Sequence, residues 1–310
     1  MQEKKDKGKI TRRKFLAGLA VCTSALALPI GGANASTWEE YFRQHFKRLD
    51  KDELDTILKN MEKELSEKYR KAVTVKATPP MENVVFGYAL DLSRCIGCRR
   101  CVYACVKENN LSRTPQIHWI NVLEFEKGNK KWQYLEHSNR YYNPEDVPQK
   151  GHFYVPVQCQ QCKKPPCIKV CPVKATWQEP DGIVVVDYNW CIGCRFCMAA
   201  CPYGARSFNW AKPYIPKEEF NPSMHYLGNR PQYKGVVGKC TFCIQRSREG
   251  RYTACVEACP VGARKFGNLL DPKSEIRYIL EQLTVFRLKE GLDTNPKFFY
   301  FFSMGSPVKS

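Results

Sequence analysis

Sixteen cysteines hold the chemistry of this chain, because they fall into four regular groups of four. Cys95, Cys98, Cys101 and Cys105 are spaced C-x2-C-x2-C-x3-C, and Cys191, Cys194, Cys197 and Cys201 repeat that spacing. Cys159, Cys162, Cys167 and Cys171 follow C-x2-C-x4-C-x3-C, and Cys240, Cys243, Cys255 and Cys259 follow C-x2-C-x11-C-x3-C. A tight Cys-Ile-Gly-Cys loop, at Cys95 to Cys98 and again at Cys191 to Cys194, aims successive thiolates at one iron–sulfur cubane and exposes backbone N–H groups to the sulfurs. Glycine lets such a loop turn without a side-chain clash. The fourth cysteine of a run lies one helical turn beyond the third and points away, toward another cluster. Proline follows it in Cys171-Pro172, Cys201-Pro202 and Cys259-Pro260, whereas Val106 follows Cys105.

Other cysteine chemistries fit less well. Zinc ribbons use C-x2-C pairs but not two C-x2-C-x2-C-x3-C runs with trailing prolines. Disulfides do not favour cysteines two residues apart in a regular repeat. Covalent haem needs a histidine after C-x2-C, and the residues there are Arg99, Lys163, Arg195 and Ile244. The spacing therefore predicts iron–sulfur ligation by all sixteen.

The elements that position these loops are short. Runs 84–90, 152–157 and 183–187 are rich in β-branched and aromatic residues and lead into cysteine groups. Pro180-Asp181-Gly182 marks a hairpin turn before the last of them. Behind the cysteines, Cys171-Pro-Val-Lys-Ala-Thr, Cys201-Pro-Tyr-Gly-Ala-Arg-Ser-Phe and Cys259-Pro-Val-Gly-Ala-Arg-Lys-Phe share one pattern of cysteine, proline, turn and short strand. The expected fold is α+β: two nested bacterial ferredoxin-like modules over 81–270, the groups pairing one with four and two with three. An inserted subdomain is expected over 106–150, with a strand at 117–125 and a polar loop around Asn143 to Asp146. Residues 36–80 read as a helical extension and linker, with capping boxes at Ser36-x-x-Glu39 and Asp50-x-x-Glu53 and the linker over 73–83. Residues 271–310 read as a C-terminal extension with a helix near 274–283. Its aromatic run 298–302 is too short to cross a membrane and is either core or a docking patch.

The formal net charge of +18 on 310 residues would suit nucleic acid, but most of it is accounted for elsewhere. Residues 1–35 are basic at first, then place Arg12-Arg13 before a weakly apolar run, 15–32, that ends at Ala33-Asn34-Ala35. This segment resembles a twin-arginine (Tat) export signal, which carries proteins already folded around a cofactor; an uncleaved N-terminal anchor is the alternative. A lipoprotein reading at Cys22 is rejected because Val21 stands where a small residue is needed. Losing the segment removes seven positive and two negative charges and leaves +13. Four oxidised clusters with their thiolates add about −8, for a balance of about +5. Nucleic-acid binding then has no argument left, and Arg94, Arg99, Arg100, Arg195, Lys239, Arg246 and Arg264 read as compensation for anionic clusters.

The four groups, in this order and with their x2-x4-x3 and x2-x11-x3 variants, resemble the four-cluster ferredoxin-like electron-transfer subunits of the DMSO-reductase type, over about 84–270. The resemblance implies four 4Fe–4S clusters with interleaved ligands: Cys95, Cys98, Cys101 and Cys259; Cys240, Cys243, Cys255 and Cys105; Cys159, Cys162, Cys167 and Cys201; Cys191, Cys194, Cys197 and Cys171. It also implies a non-catalytic electron wire, peripheral to the membrane on its periplasmic face. Its partners would be an NrfD- or PsrC-like quinone subunit in the membrane and a molybdopterin enzyme, multihaem cytochrome or hydrogenase. A free-standing periplasmic polyferredoxin carrier is the alternative. No acid–base, nucleophilic or phosphate-binding constellation appears in the sequence.

Overall fold

A computed structural model describes residues 46–128 and 134–303. Arg12, Arg13, Cys22 and the Ser36 capping box lie outside the described residues. Residues Phe46–Arg48 form a single 3-10 turn, and everything that follows belongs to one unit starting at Leu49.

Helix α1 (Lys51–Tyr69) starts where the sequence predicts, with Asp50 and Glu53 forming a reciprocal capping box. The chain then departs from the expected linker. Residues Thr74–Lys76 form strand β1, which pairs in parallel with β8 (Ser223–His225). Val75 is buried there, and Glu62 of α1 accepts its N–H. A three-residue strand whose partner lies far along the chain leaves too short an alternation to read.

The central sheet has four strands. Strand β2 (Phe86–Asp91) leads into the first cysteine group and is buried along its whole length. It pairs antiparallel with β10 (Arg264–Asn268), which follows the last group, in the register Leu90↔Arg264 to Phe86↔Asn268. Its other edge takes β12 (Phe298–Phe301) in parallel, and β11 (Val285–Phe286) closes that side. Phe298 to Phe301 of the aromatic run are therefore core, Phe302 is exposed, and the expected C-terminal extension supplies two strands of the central sheet. One face packs Ala89, Phe299 and Phe301 against Ile276 and Ile279 of α7 (Glu275–Gln282). Each such aliphatic side chain contributes about 1.5–3 kcal/mol on burial. The other face is an aromatic layer, with Tyr88 stacked on Phe298 at 4.6 Å.

Inside this frame, β5 (Thr176–Gln178) and β6 (Val184–Val186) form the expected hairpin around Gly182. Strand β7 (Ser207–Phe208) pairs with β9 (Val237–Gly238). Strand β4 (His152–Val157) pairs with β3 (Asn121–Glu126), so the expected insertion shares a ladder with the strand entering the second group. The expected boundary at 106 also falls inside helix α2 (Arg100–Glu108). Among the described residues no helix is long and apolar enough to cross a membrane.

Candidate iron–sulfur centres

Each cysteine group begins as a left-handed loop. Gly97 and Gly193 have φ of 77° and 75°, and neither has room for a Cβ: it would lie 2.5 Å from the Tyr154 ring at Gly97 and 2.2 Å from the Gly235 carbonyl oxygen at Gly193. Gln161 and Phe242 take the same place in the other two groups with φ of 46° and 54°, although neither is glycine. A left-handed non-glycine residue costs about 1–2 kcal/mol, which the surrounding contacts must offset. Gln161 does so through its amide, which donates to the Cys240 carbonyl and accepts the Val184 N–H. The loops also turn N–H groups onto sulfur, as at Phe242 N–H to Cys240 Sγ, 3.4 Å.

Short helices then carry the third cysteines. Cys101 and Cys105 lie on α2, and α2 packs on α6 (Ala254–Glu257), which carries Cys255. Cys243 stands at the start of α5 (Ile244–Ser247). Cys167 lies on α3 (Pro166–Lys169) and packs against α4 (Phe196–Ala199), which carries Cys197. These helix pairs match groups one with four and two with three.

Three small cavities open among the cysteines. One is lined by Cys95, Cys98, Cys101 and Cys259, the second by Cys159, Cys162, Cys167 and Cys201, and the third by Cys171, Cys191, Cys194 and Cys197. Cys105, Cys240, Cys243 and Cys255 form the remaining quartet, all four buried; burial first, and then the charges of its neighbours, push the Cys105 thiol up. All sixteen cysteines fall into these quartets, and each quartet takes one member from a different group. The quartets also fall in a row. Tyr88 and Arg264 link Cys255 to Cys101, Gln161 beside Cys162 donates to the Cys240 carbonyl, and Arg206 lines both the Cys167 and the Cys197 cavity. At either end of the row three cysteines of four are partly exposed, whereas the Cys240 quartet is wholly buried.

Burial, more than mutual repulsion, pushes these thiols up, to about 12 at Cys95, Cys162 and Cys240 and to about 11 at Cys197. A thiolate here needs a strong Lewis acid or a cation beside it. Among the described residues no three His, Cys, Asp or Glu side chains converge on a site for a single metal ion. Quartets that surround a cavity instead suit a cubane, whose thiolates sit wider apart than those of one zinc. Arg206 Nη1 is buried with no hydrogen-bond partner among the described residues, on a side chain that lines two of the cavities. The residues present therefore fit iron–sulfur clusters.

Of the basic residues expected to compensate cluster charge, Arg264 and Lys239 are buried beside cysteines. Arg99 and Arg195 line the Cys95 and Cys191 cavities, Arg195 lying also over Trp210, whereas Arg246 pairs with Glu108 and Glu257 and Arg94 with Asp91. Several contributors were not singled out from the sequence. The Tyr88 hydroxyl meets Cys255 Sγ at 3.3 Å, and Asn109 Nδ2 donates to Cys105 Sγ at 3.5 Å. Arg206 Nη2 donates to Cys167 Sγ at 3.0 Å. Arg206 had a signal: it occupies the place of Arg264 in the repeated Cys-Pro-x-Gly-Ala-Arg pattern.

Comparison with known proteins decides the family. A 4Fe-4S dicluster domain family matches residues 94–175, and a second family of the same description matches 151–232 and 226–269. The chain is 40% identical over 235 residues to a dimethyl sulfoxide reductase iron–sulfur subunit inferred for Halobacterium salinarum, covering 73% of this chain and 83% of that one. The chain belongs to the family of reductase iron–sulfur subunits. It is 39% identical to the iron–sulfur subunit 1 of an Hdr-like menaquinol oxidoreductase from Archaeoglobus fulgidus, over 68% of this chain and 81% of that protein. To the iron–sulfur cluster-binding subunit of a menaquinone reductase from Nitratidesulfovibrio vulgaris it is 36% identical, over 70% and 88%. As a family member it is an electron-transfer subunit that binds 4Fe–4S clusters, and catalysis belongs to another subunit.

Proposed function

We propose that this subunit holds four 4Fe–4S clusters, one in each cysteine quartet, and carries electrons from one surface of the domain to another. The observation that supports this reading is the row of quartets, more exposed at its two ends than at the buried Cys240 quartet. Bound there, 4Fe–4S clusters supply one-electron transfer. The chain's own residues do the rest. Cysteines from paired groups interleave, so that neighbouring sites share helices and are held at fixed separation. The aromatic layer of Tyr88, Phe242, Phe266 and Phe298 and the wholly buried Cys240 quartet exclude water from the outer module. The loop residues turn N–H groups toward sulfur.

The two modules are nested, the inner one formed by groups two and three. The partners are a quinone-linked membrane subunit of the NrfD or PsrC type at one end and a molybdopterin enzyme, multihaem cytochrome or hydrogenase at the other. Relatives named as subunits of a menaquinol oxidoreductase and a menaquinone reductase support the quinone link, and disfavour a free-standing carrier. Exposed Phe196 and Trp210 beside the Cys191 quartet suit a protein partner at that mouth. Arg12-Arg13 sends the folded, loaded subunit through the Tat route to the periplasmic face.

Anaerobically purified protein is expected to carry about 16 iron and 16 sulfide per chain. Zinc in place of iron, or four to eight irons in intact protein, roughly half the complement or less, would overturn the assignment.

A further inference from the structure

Four quartets in a row leave three junctions, and each junction holds one buried cation. Between the Cys101 and Cys255 quartets lies Arg264, 3% exposed. Its Nη2 donates to Cys101 Sγ at 3.2 Å and its Nη1 to the Tyr88 hydroxyl at 3.1 Å, the same hydroxyl that meets Cys255 Sγ at 3.3 Å. Between the Cys167 and Cys197 quartets lies Arg206, 5% exposed, with Nη2 on Cys167 Sγ and Thr176 Oγ1, both at 3.0 Å. Its side chain lines the cavities of both quartets. At the middle junction the Lys239 ammonium donates to the Cys240 carbonyl at 2.6 Å, and Cys159 and Cys240 both act on its charge.

None of the three pairs with a carboxylate among the described residues. The chain's other deeply buried arginines do: Arg230 has Asp187 at 3.0 Å, and Arg248 has Asp181 at 2.8 Å. A buried cation with no counter-charge costs several kcal/mol, so the negative charge that keeps Arg264 and Arg206 folded inside must come from the cysteine thiolates, which a bound cluster would hold deprotonated. A guanidinium stays protonated at any working pH. A fixed positive charge between two anionic centres favours the added electron on either of them.

We propose that Arg264 and Arg206 are shared bridges, each raising the reduction potentials of the two clusters that flank it and damping their mutual repulsion. Lys239 holds the corresponding place between the modules. The inference rests on the four-cluster reading above. It adds that the potentials are set pairwise across junctions, so no single site is tuned alone.

The test is an EPR-monitored redox titration of the anaerobic holoprotein, comparing wild type with Arg206→Gln, Arg206→Lys, Arg264→Gln and Arg264→Lys. Each Gln variant is expected to lower two of the four reduction equilibria by at least tenfold, which is 59 mV for one electron. The pair moved by Arg206→Gln differs from the pair moved by Arg264→Gln. Each Lys variant, which keeps the charge, is expected to stay within tenfold of wild type. A shift confined to one cluster, a uniform shift of all four, or no shift overturns the proposal. If a Gln variant fails to load iron, the matching Lys variant decides: full iron with both flanking potentials retained supports the charge role. Loss of iron in both variants makes the arginine merely structural and overturns it. A wild-type protein with fewer than four clusters defeats the underlying reading before any variant is compared.

Discussion

Gly193→Ala should empty one quartet and leave the other three. The loop at Gly193 has φ of 75°, where an alanine costs about 1–2 kcal/mol. Space adds a second penalty, because the new Cβ would lie 2.2 Å from the Gly235 carbonyl oxygen. Relief requires a backbone shift of about 1 Å, and overpacking of this kind costs about 1–3 kcal/mol. Together the two come to about 2–5 kcal/mol against the loop conformation that presents Cys191 and Cys194, or roughly a 30- to 4,000-fold loss in the quartet's hold on its cluster. Gly204→Ala is the matched control: its φ is 58°, but nothing lies within 4 Å of the new Cβ, so only the conformational cost of about 1–2 kcal/mol applies. The assay is iron content and EPR after anaerobic purification. Wild type and Gly204→Ala should hold about 16 irons and Gly193→Ala about 12, with one cluster signal gone. A full complement in Gly193→Ala, or an equal loss in Gly204→Ala, would refute the reasoning.

The interleaving has its own test. Cys105→Ala should damage the cluster of Cys240, Cys243 and Cys255 while that of Cys95, Cys98 and Cys101 persists, and Cys259→Ala should do the reverse. If EPR shows both mutants losing the same cluster, the quartets are not the ligand sets. Changing Arg12 and Arg13 to lysine should strand loaded precursor in the cytoplasm, read by fractionation and immunoblotting; unimpaired export would remove the Tat reading. Burial, with a lesser push from Arg248, pulls His225 down to about 3. A base depressed on folding contributes stability above its unfolded pKa of about 6.5 and loses it as pH falls toward 3, here by about 5 kcal/mol at most. His225→Gln should therefore flatten the fall of thermal stability over that window; unchanged steepness would mean that other groups carry it.

The site was more legible than the frame around it. Cysteine spacing is a local property, so the quartets could be expected from the four groups and the resemblance they carry. The strands beside the cysteines could be read as well, since 84–90, 152–157 and 183–187 have enough β-branched and aromatic residues to declare themselves. What escaped depended on distant partners. Thr74–Lys76 becomes a strand only because Ser223–His225 lies beside it. The aromatic run at Phe298–Phe301 could be assigned to the core only once it was seen beside β2, buried along its whole length. Gln161 and Phe242 carry no glycine to announce their left-handed turns. Arg206 sat in a visible repeat, yet its meaning needed the knowledge that two cavities meet there.

The pairing of first with last has a consequence for biosynthesis. Strand β2 ends at Asp91, but its neighbours are residues 264–268 and 298–301, and Cys95 and Cys98 wait for Cys259. The Cys167 and Cys197 quartets, by contrast, have all their members once residue 201 has left the ribosome. Synthesis runs at about 5–20 residues per second, so the inner sites have a lead of roughly 5–20 s over completion of the outer sheet. Until residues 259 to 268 emerge, the Cys95 loop is incomplete and strand β2 stands without a partner on either edge. On the four-cluster proposal, iron delivery would have a built-in order, with the Cys167 and Cys197 quartets before the Cys95 and Cys240 quartets. A chain truncated before Cys240 would keep only the Cys167 and Cys197 quartets whole, a half-loaded, adhesive intermediate rather than a shorter wire.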